Sequence, residues 1–196
     1  MDKLFEGISK VFSHLARDIQ TYIFAGFIVL ANVYVIDDTY YSGDISYRIL
    51  HADYTILIII VASFIVGHIC LGFYAFILEF WRFDKVLYNM FFARRFKGVK
   101  DATDESIIQD KGAIFKTDKD LYFHFIERDV NLATLRWNYS SAFFICAIID
   151  FTHMIFMNFN KTIFLIGILS AFCSWLMMLL HIFTQKENVD QIMKLK

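Results

Sequence analysis

The chain has 196 residues, 58% of them apolar, with 23 phenylalanines and a formal net charge of −1. A soluble domain is about 45–50% apolar, so this composition excludes an ordinary water-soluble protein, and the near-zero charge says nothing about partners. The excess gathers in a few long runs, the mark of membrane spans, and the length suits one compact membrane unit.

Residues 2–18 place Leu4, Phe5, Ile8, Val11, Phe12 and Leu15 at helical spacing opposite Lys3, Glu6, Lys10, Ser13 and Arg17. The pattern predicts an amphipathic helix over 1–18. It lies either in the inner membrane interface or against the protein's own cytoplasmic part. The first apolar run follows at Ile19–Ile36. No small-residue cleavage site succeeds it, so a retained anchor is expected rather than a signal peptide. Asp2 and Lys196 fit no lipidation motif.

A span needs about 20 apolar residues at 1.5 Å rise. Three further segments qualify: Tyr54–Leu78, Trp137–Met157 and Thr162–Phe183. Proline is absent from the chain, so the residue that most often kinks a helix interrupts none of them. The expected fold is all-α: transmembrane helices one and two in 19–78, a cytoplasmic stalk in 79–136, helices three and four in 137–183, and a tail in 184–196. The segments before span one, between spans two and three, and after span four hold 17 of the 19 Lys and Arg. Positive residues stay inside, so both termini are expected in the cytoplasm.

The stalk reads as a helical hairpin. Glu79–Lys97 contains neither Gly nor Pro, which predicts one helix from Tyr54 to Lys97, extending about 29 Å past the membrane. Gly98 after Lys97 reads as its stop. Residues 118–136, with Thr117 or Asp118 as N-cap, run unbroken into span three, and residues 99–117 join the two tips. So much apolar surface on so small a cytoplasmic part predicts a homo-oligomer.

Asp150 and His153 stand three apart on one face of span three, positioned to bond to each other. An ionisable group at such depth costs ~3 kcal/mol or more and is a functional candidate by default. The pair would line a pore, relay protons or bind a cation; alternatively it clasps span three to another helix or subunit. His68 is expected to hydrogen-bond across helices. Asn32 is expected to bond to His153 or face a cavity, and His181 to snorkel at the inner end of span four. Ser63 with Gly67, and Gly167 with Ala171, have the four-residue spacing of close helix contacts. Cys70, Cys146 and Cys173 sit singly in apolar runs and read as small buried side chains.

Arg94, Arg95, Lys97 and Lys100 form a basic run at the far end of the predicted stalk. Upright, it stands roughly 25 Å out, beyond a Debye length of about 8 Å, which disfavours lipid and favours the phosphates of a nucleotide or single-stranded oligonucleotide. Asp101, Asp104 and Glu105 beside it support the other reading, a salt-bridged solvated tip. No catalytic motif is found, and neither metal nor cofactor is expected.

Several spans, a basic helical cytoplasmic part and no catalytic motif together resemble the small membrane effectors of bacterial anti-phage systems, the Hailong-type channel partner of a nucleotidyltransferase among them. That resemblance of layout implies a bacterial inner membrane as the location, tetramer-like assembly, gating by a nucleic-acid-derived signal, and depolarisation as the antiviral output. Apart from it, the sequence leaves open a non-channel adaptor that docks a cytoplasmic partner protein, and a small proton-coupled transporter subunit.

Overall fold

The computed structural model describes residues 19–195; the expected N-terminal amphipathic helix lies outside them. Every regular element among the described residues is helical. A π-helical turn, Ile19–Ile23, leads into α1 (Phe24–Tyr40). The short α2 (Asp44–Leu50) follows, then α3 (Thr55–Trp81), α4 (Phe83–Phe91) and α5 (Glu105–Thr117). A helical turn at Lys119–Leu121 and a π-helical turn at Tyr122–Glu127 enter α6 (Arg128–Phe156), and α7 covers Lys161–Lys194. Four stretches are long and apolar enough to cross a bilayer: Thr21–Tyr40, Thr55–Leu78, Lys119–Phe156 and Lys161–Lys194. The architecture is that of a multi-pass membrane protein.

The chain forms two compact units. The first comprises Met1–Phe76 and Asn138–Trp175, the second Ile77–Trp137 and Leu176–Lys196.

In the first unit, Ala25, Val29, Cys70, Ala142 and Cys146 form a small-residue core. Without a hydrophobic drive inside lipid, helices associate through close packing, which small residues permit. The contact between α1 and α3 is an extreme case. A Cβ on Gly26 would lie 1.7 Å from the Ser63 carbonyl oxygen, and one on Gly67 would lie 2.1 Å from that of Tyr22. Ser63 and Gly67 thus mark a helix contact as their spacing predicts. In α7 only half of the small pair does: Gly167 packs on Asp150 and Phe151, whereas Ala171 is exposed.

The second unit departs from the predicted stalk in two places. The helix from Tyr54 to Lys97 is not continuous; it breaks at Arg82, whose φ is +49°. A left-handed non-glycine residue costs roughly 1–2 kcal/mol, and burying a leucine gains about as much. The break puts Leu87 of α4 into the interior at 4% exposure, so packing rather than a breaker residue sets it. Past α4 the chain runs in successive turns to Gly98, which ends them at φ +84°. The second departure is α5, where a connector was expected. Its N-cap Asp104 accepts from the Ser106 amide at 3.0 Å and the Ser106 hydroxyl at 2.6 Å. These bonds, the hydroxyl's foremost, hold the Asp104 carboxyl below its ordinary 3.8, so the cap is charged at neutral pH. Ile107 of α5 joins Ile126, Val189 and Ile192 in the core of this unit. Asp118 is the N-cap of the next turn, accepting from the Leu121 amide.

Candidate functional site

The polar residues of the first unit converge on α6. Asp150 is fully buried, and its partner is not His153 but Asn32 of α1, whose Nδ2 donates to Asp150 Oδ1 at 2.9 Å. The bond joins residues 118 positions apart. Gly167 of α7 makes room for it, since a Cβ there would stand 3.1 Å from that of Asp150. His153 instead donates from Nδ1 to the Ile149 carbonyl at 3.0 Å, one turn back on its own helix. Its ring lies beside those of Tyr40 and Tyr41. The expected Asp150–His153 bond is therefore replaced by an interhelical Asn32–Asp150 bond. In an apolar setting, a carboxylate gains more from an amide donor than an imidazole that can serve its own backbone.

Asn138, Ser140 and Ser141 lie nearer the start of the same helix and are buried. Asn138 Nδ2 donates to the Thr21 carbonyl. The Tyr74 hydroxyl of α3 meets the Ser140 hydroxyl at 2.6 Å, and Ser140 in turn donates to the Ser174 carbonyl of α7 at 2.8 Å. Polar side chains thus meet the neighbouring spans at two places on α6, residues 138–141 and Asp150, with the apolar stretch 142–149 between them. Sequence reasoning missed the serines, because single serines in an apolar run carry no periodic signal. Four buried side-chain atoms of this unit have no hydrogen-bond partner among the described residues: Asp37 Oδ1, Ser63 Oγ, Asn138 Oδ1 and Asp150 Oδ2.

His68 is not hydrogen-bonded across helices. It is exposed, donates to the Phe64 carbonyl one turn back, and stacks on Tyr22 with ring centroids 3.8 Å apart. Stacking, not a hydrogen bond, is its link to the first span. The cysteines are free, with Cys70 and Cys146 buried and Cys173 half-buried.

In the second unit His181 does not snorkel. It is buried, its Nδ1 donates to the Ala133 carbonyl at 2.8 Å, and its ring packs on Trp137. Arg136 nearby donates to the Leu180 carbonyl and the Thr184 hydroxyl. The residues of the basic run differ in their contacts. Arg95 lies over the rings of Phe183, at 4.6 Å, and Phe96, a cation–π arrangement. Lys100 donates to Ser106 and pairs with Asp104 at 3.6 Å. Arg94 and Lys97 are exposed, as Arg95 and Lys100 are.

No protein family, curated protein or solved structure matches the chain.

Proposed function

We propose that the protein is a homo-oligomeric membrane channel, closed in this conformation, with both ends in the cytoplasm of a bacterial cell. Its conducting path passes the two polar places on α6, with the apolar stretch 142–149 between them as its closed constriction, and a phosphate-rich ligand at the basic turn of the second unit opens it. The observation that carries this reading is that Asn138 Oδ1 and Asp150 Oδ2 of α6, with Ser63 Oγ of α3, are buried in the span interior without hydrogen-bond partners among the described residues. Among lipid-facing helices each such atom costs free energy that packing alone would have removed. Buried polar groups of this kind mark ion and proton pathways. The 17-to-2 distribution of basic residues supports the orientation. The second unit supports assembly: Phe83, Val86, Met90 and Ile108 are exposed there, and a second copy of the chain would cover them. That same apolar surface also favours a second reading, an adaptor that docks a cytoplasmic protein.

Proteoliposomes holding a potassium gradient test the reading. A voltage-sensitive dye is expected to report faster dissipation once a short single-stranded oligonucleotide reaches the cytoplasmic side. Arg94→Glu with Lys97→Glu is expected to remove that acceleration while incorporation stays normal; Arg95 is left intact because it packs on Phe183. A gradient that persists over fully incorporated wild-type protein, with or without the oligonucleotide, contradicts the channel. An unaltered response in the double variant contradicts only the site.

A further inference from the structure

A cavity of about 560 Å³ lies in the first unit, under α2 and between α1 and α3. Its size is that of a small-molecule site, for which about 300–1,000 Å³ is usual. Leu30, Ile49, Leu50, Ile58 and Ala62 give it an almost wholly apolar wall. One carboxyl group stands in that wall. Asp37 is 5% exposed, and the turn after α1 places it, its carbonyl accepting from the Tyr41 and Gly43 amides. Its Oδ2 is committed twice to Ser46, from the amide at 2.8 Å and from the hydroxyl at 2.6 Å. Its Oδ1 is buried with no hydrogen-bond partner among the described residues.

We propose that this cavity binds a single-chain amphiphile with a primary ammonium head, its tail along α1 and α3 and its head at the Asp37 carboxyl group. Apolar walls favour an apolar body, and a carboxyl group with one oxygen unpaired favours a donor on the ligand. The sign of the head follows from the charges at hand. The segment 37–53 carries Asp37, Asp38, Asp44 and Asp53 against Arg48 alone, a field that favours a cation and rejects an anionic head. A two-tailed phospholipid brings a phosphate into the same acidic segment and fits worse. His153 also lines the cavity, but its Nδ1 is held by Ile149, which leaves Asp37 as the anchoring charge. The proposal stands apart from conduction, since binding needs no open path.

The full chain in phosphatidylcholine nanodiscs, titrated with radiolabelled dodecylamine against empty nanodiscs, provides the test. Saturable binding of dodecylamine is expected, with dodecanol about tenfold weaker and dodecanoate absent. Asp37→Asn keeps an acceptor for Ser46 and is expected to weaken dodecylamine binding about tenfold. Ala62→Phe fills the cavity without touching Asp37, and is expected to abolish binding of amine and alcohol alike. The proposal is overturned if dodecylamine binds no better to the protein than to empty discs. Equal binding of the three head groups overturns it too, as does unchanged affinity in either variant.

Discussion

Gly26→Ala is expected to be the most damaging single methyl group that can be added to this protein. The new Cβ would stand 1.7 Å from the Ser63 carbonyl oxygen and 2.8 Å from the Gly67 amide nitrogen. Both obstacles are backbone, so no side chain can swing aside; α1 and α3 must separate. Overpacking a close interior contact costs roughly 1–3 kcal/mol, and more where backbone must move. Separation would also loosen the Tyr22–His68 stack and the small-residue core around Ala25. Taking about 3 kcal/mol, the melting temperature in detergent should fall by roughly 6–12 °C for a chain of this size. Gly72→Ala is the matched control. It is on the same α3, and a Cβ there meets nothing within 4 Å. Alanine has the better helix propensity by about 0.5–1 kcal/mol, so this variant should melt with the wild type or slightly above it. Equal melting of Gly26→Ala and wild type would mean that the two spans do not meet as described.

Asp150→Leu is expected to rank second. It removes the acceptor of Asn32 and strands that amide inside the bundle, at about 1–3 kcal/mol. Leucine also brings branched bulk to the point where α6 meets Gly167. Folded protein should be less stable and recovered oligomer reduced. Asp150→Asn keeps the shape and an oxygen for Asn32, and should fold and assemble nearly as the wild type does. Wild-type stability in Asp150→Leu would show that the Asn32–Asp150 bond holds nothing together.

The four spans were legible because each is a long apolar run with charged ends, and hydropathy needs no knowledge of partners. The Asp118 cap and the Ser63–Gly67 contact were legible for a similar reason, being local and set by residue type. What failed was non-local. Arg82 breaks the predicted 44-residue helix with neither Gly nor Pro to announce it, since the break is settled by where Leu87 finds cover. α5 did leave a trace: an Asp104 cap followed by Ile107, Ile108, Ile114 and Phe115 at helical spacing. Charged residues in the same stretch masked it. At the candidate site the residue types were right and the pairing was not. Asp150 and His153 are neighbours along one helix face, which suggested a bond, but Asn32 arrives from 118 positions away and no spacing rule reports that. His68 and His181 were misread in the same way, because sequence gives a histidine's depth and not the surface that packs on its ring.

The most direct measurement is single-channel recording from purified protein in planar bilayers, wild type beside Asp150→Asn. Replacing the carboxyl by an amide of the same shape isolates what the acid group of Asp150 does for permeating ions. The account predicts discrete wild-type openings, and openings in Asp150→Asn with reduced cation preference, from preparations of equal stability and oligomeric state. Folded, oligomeric wild-type protein that passes no current, or an Asp150→Asn channel with the same conductance and selectivity, would contradict a path along α6.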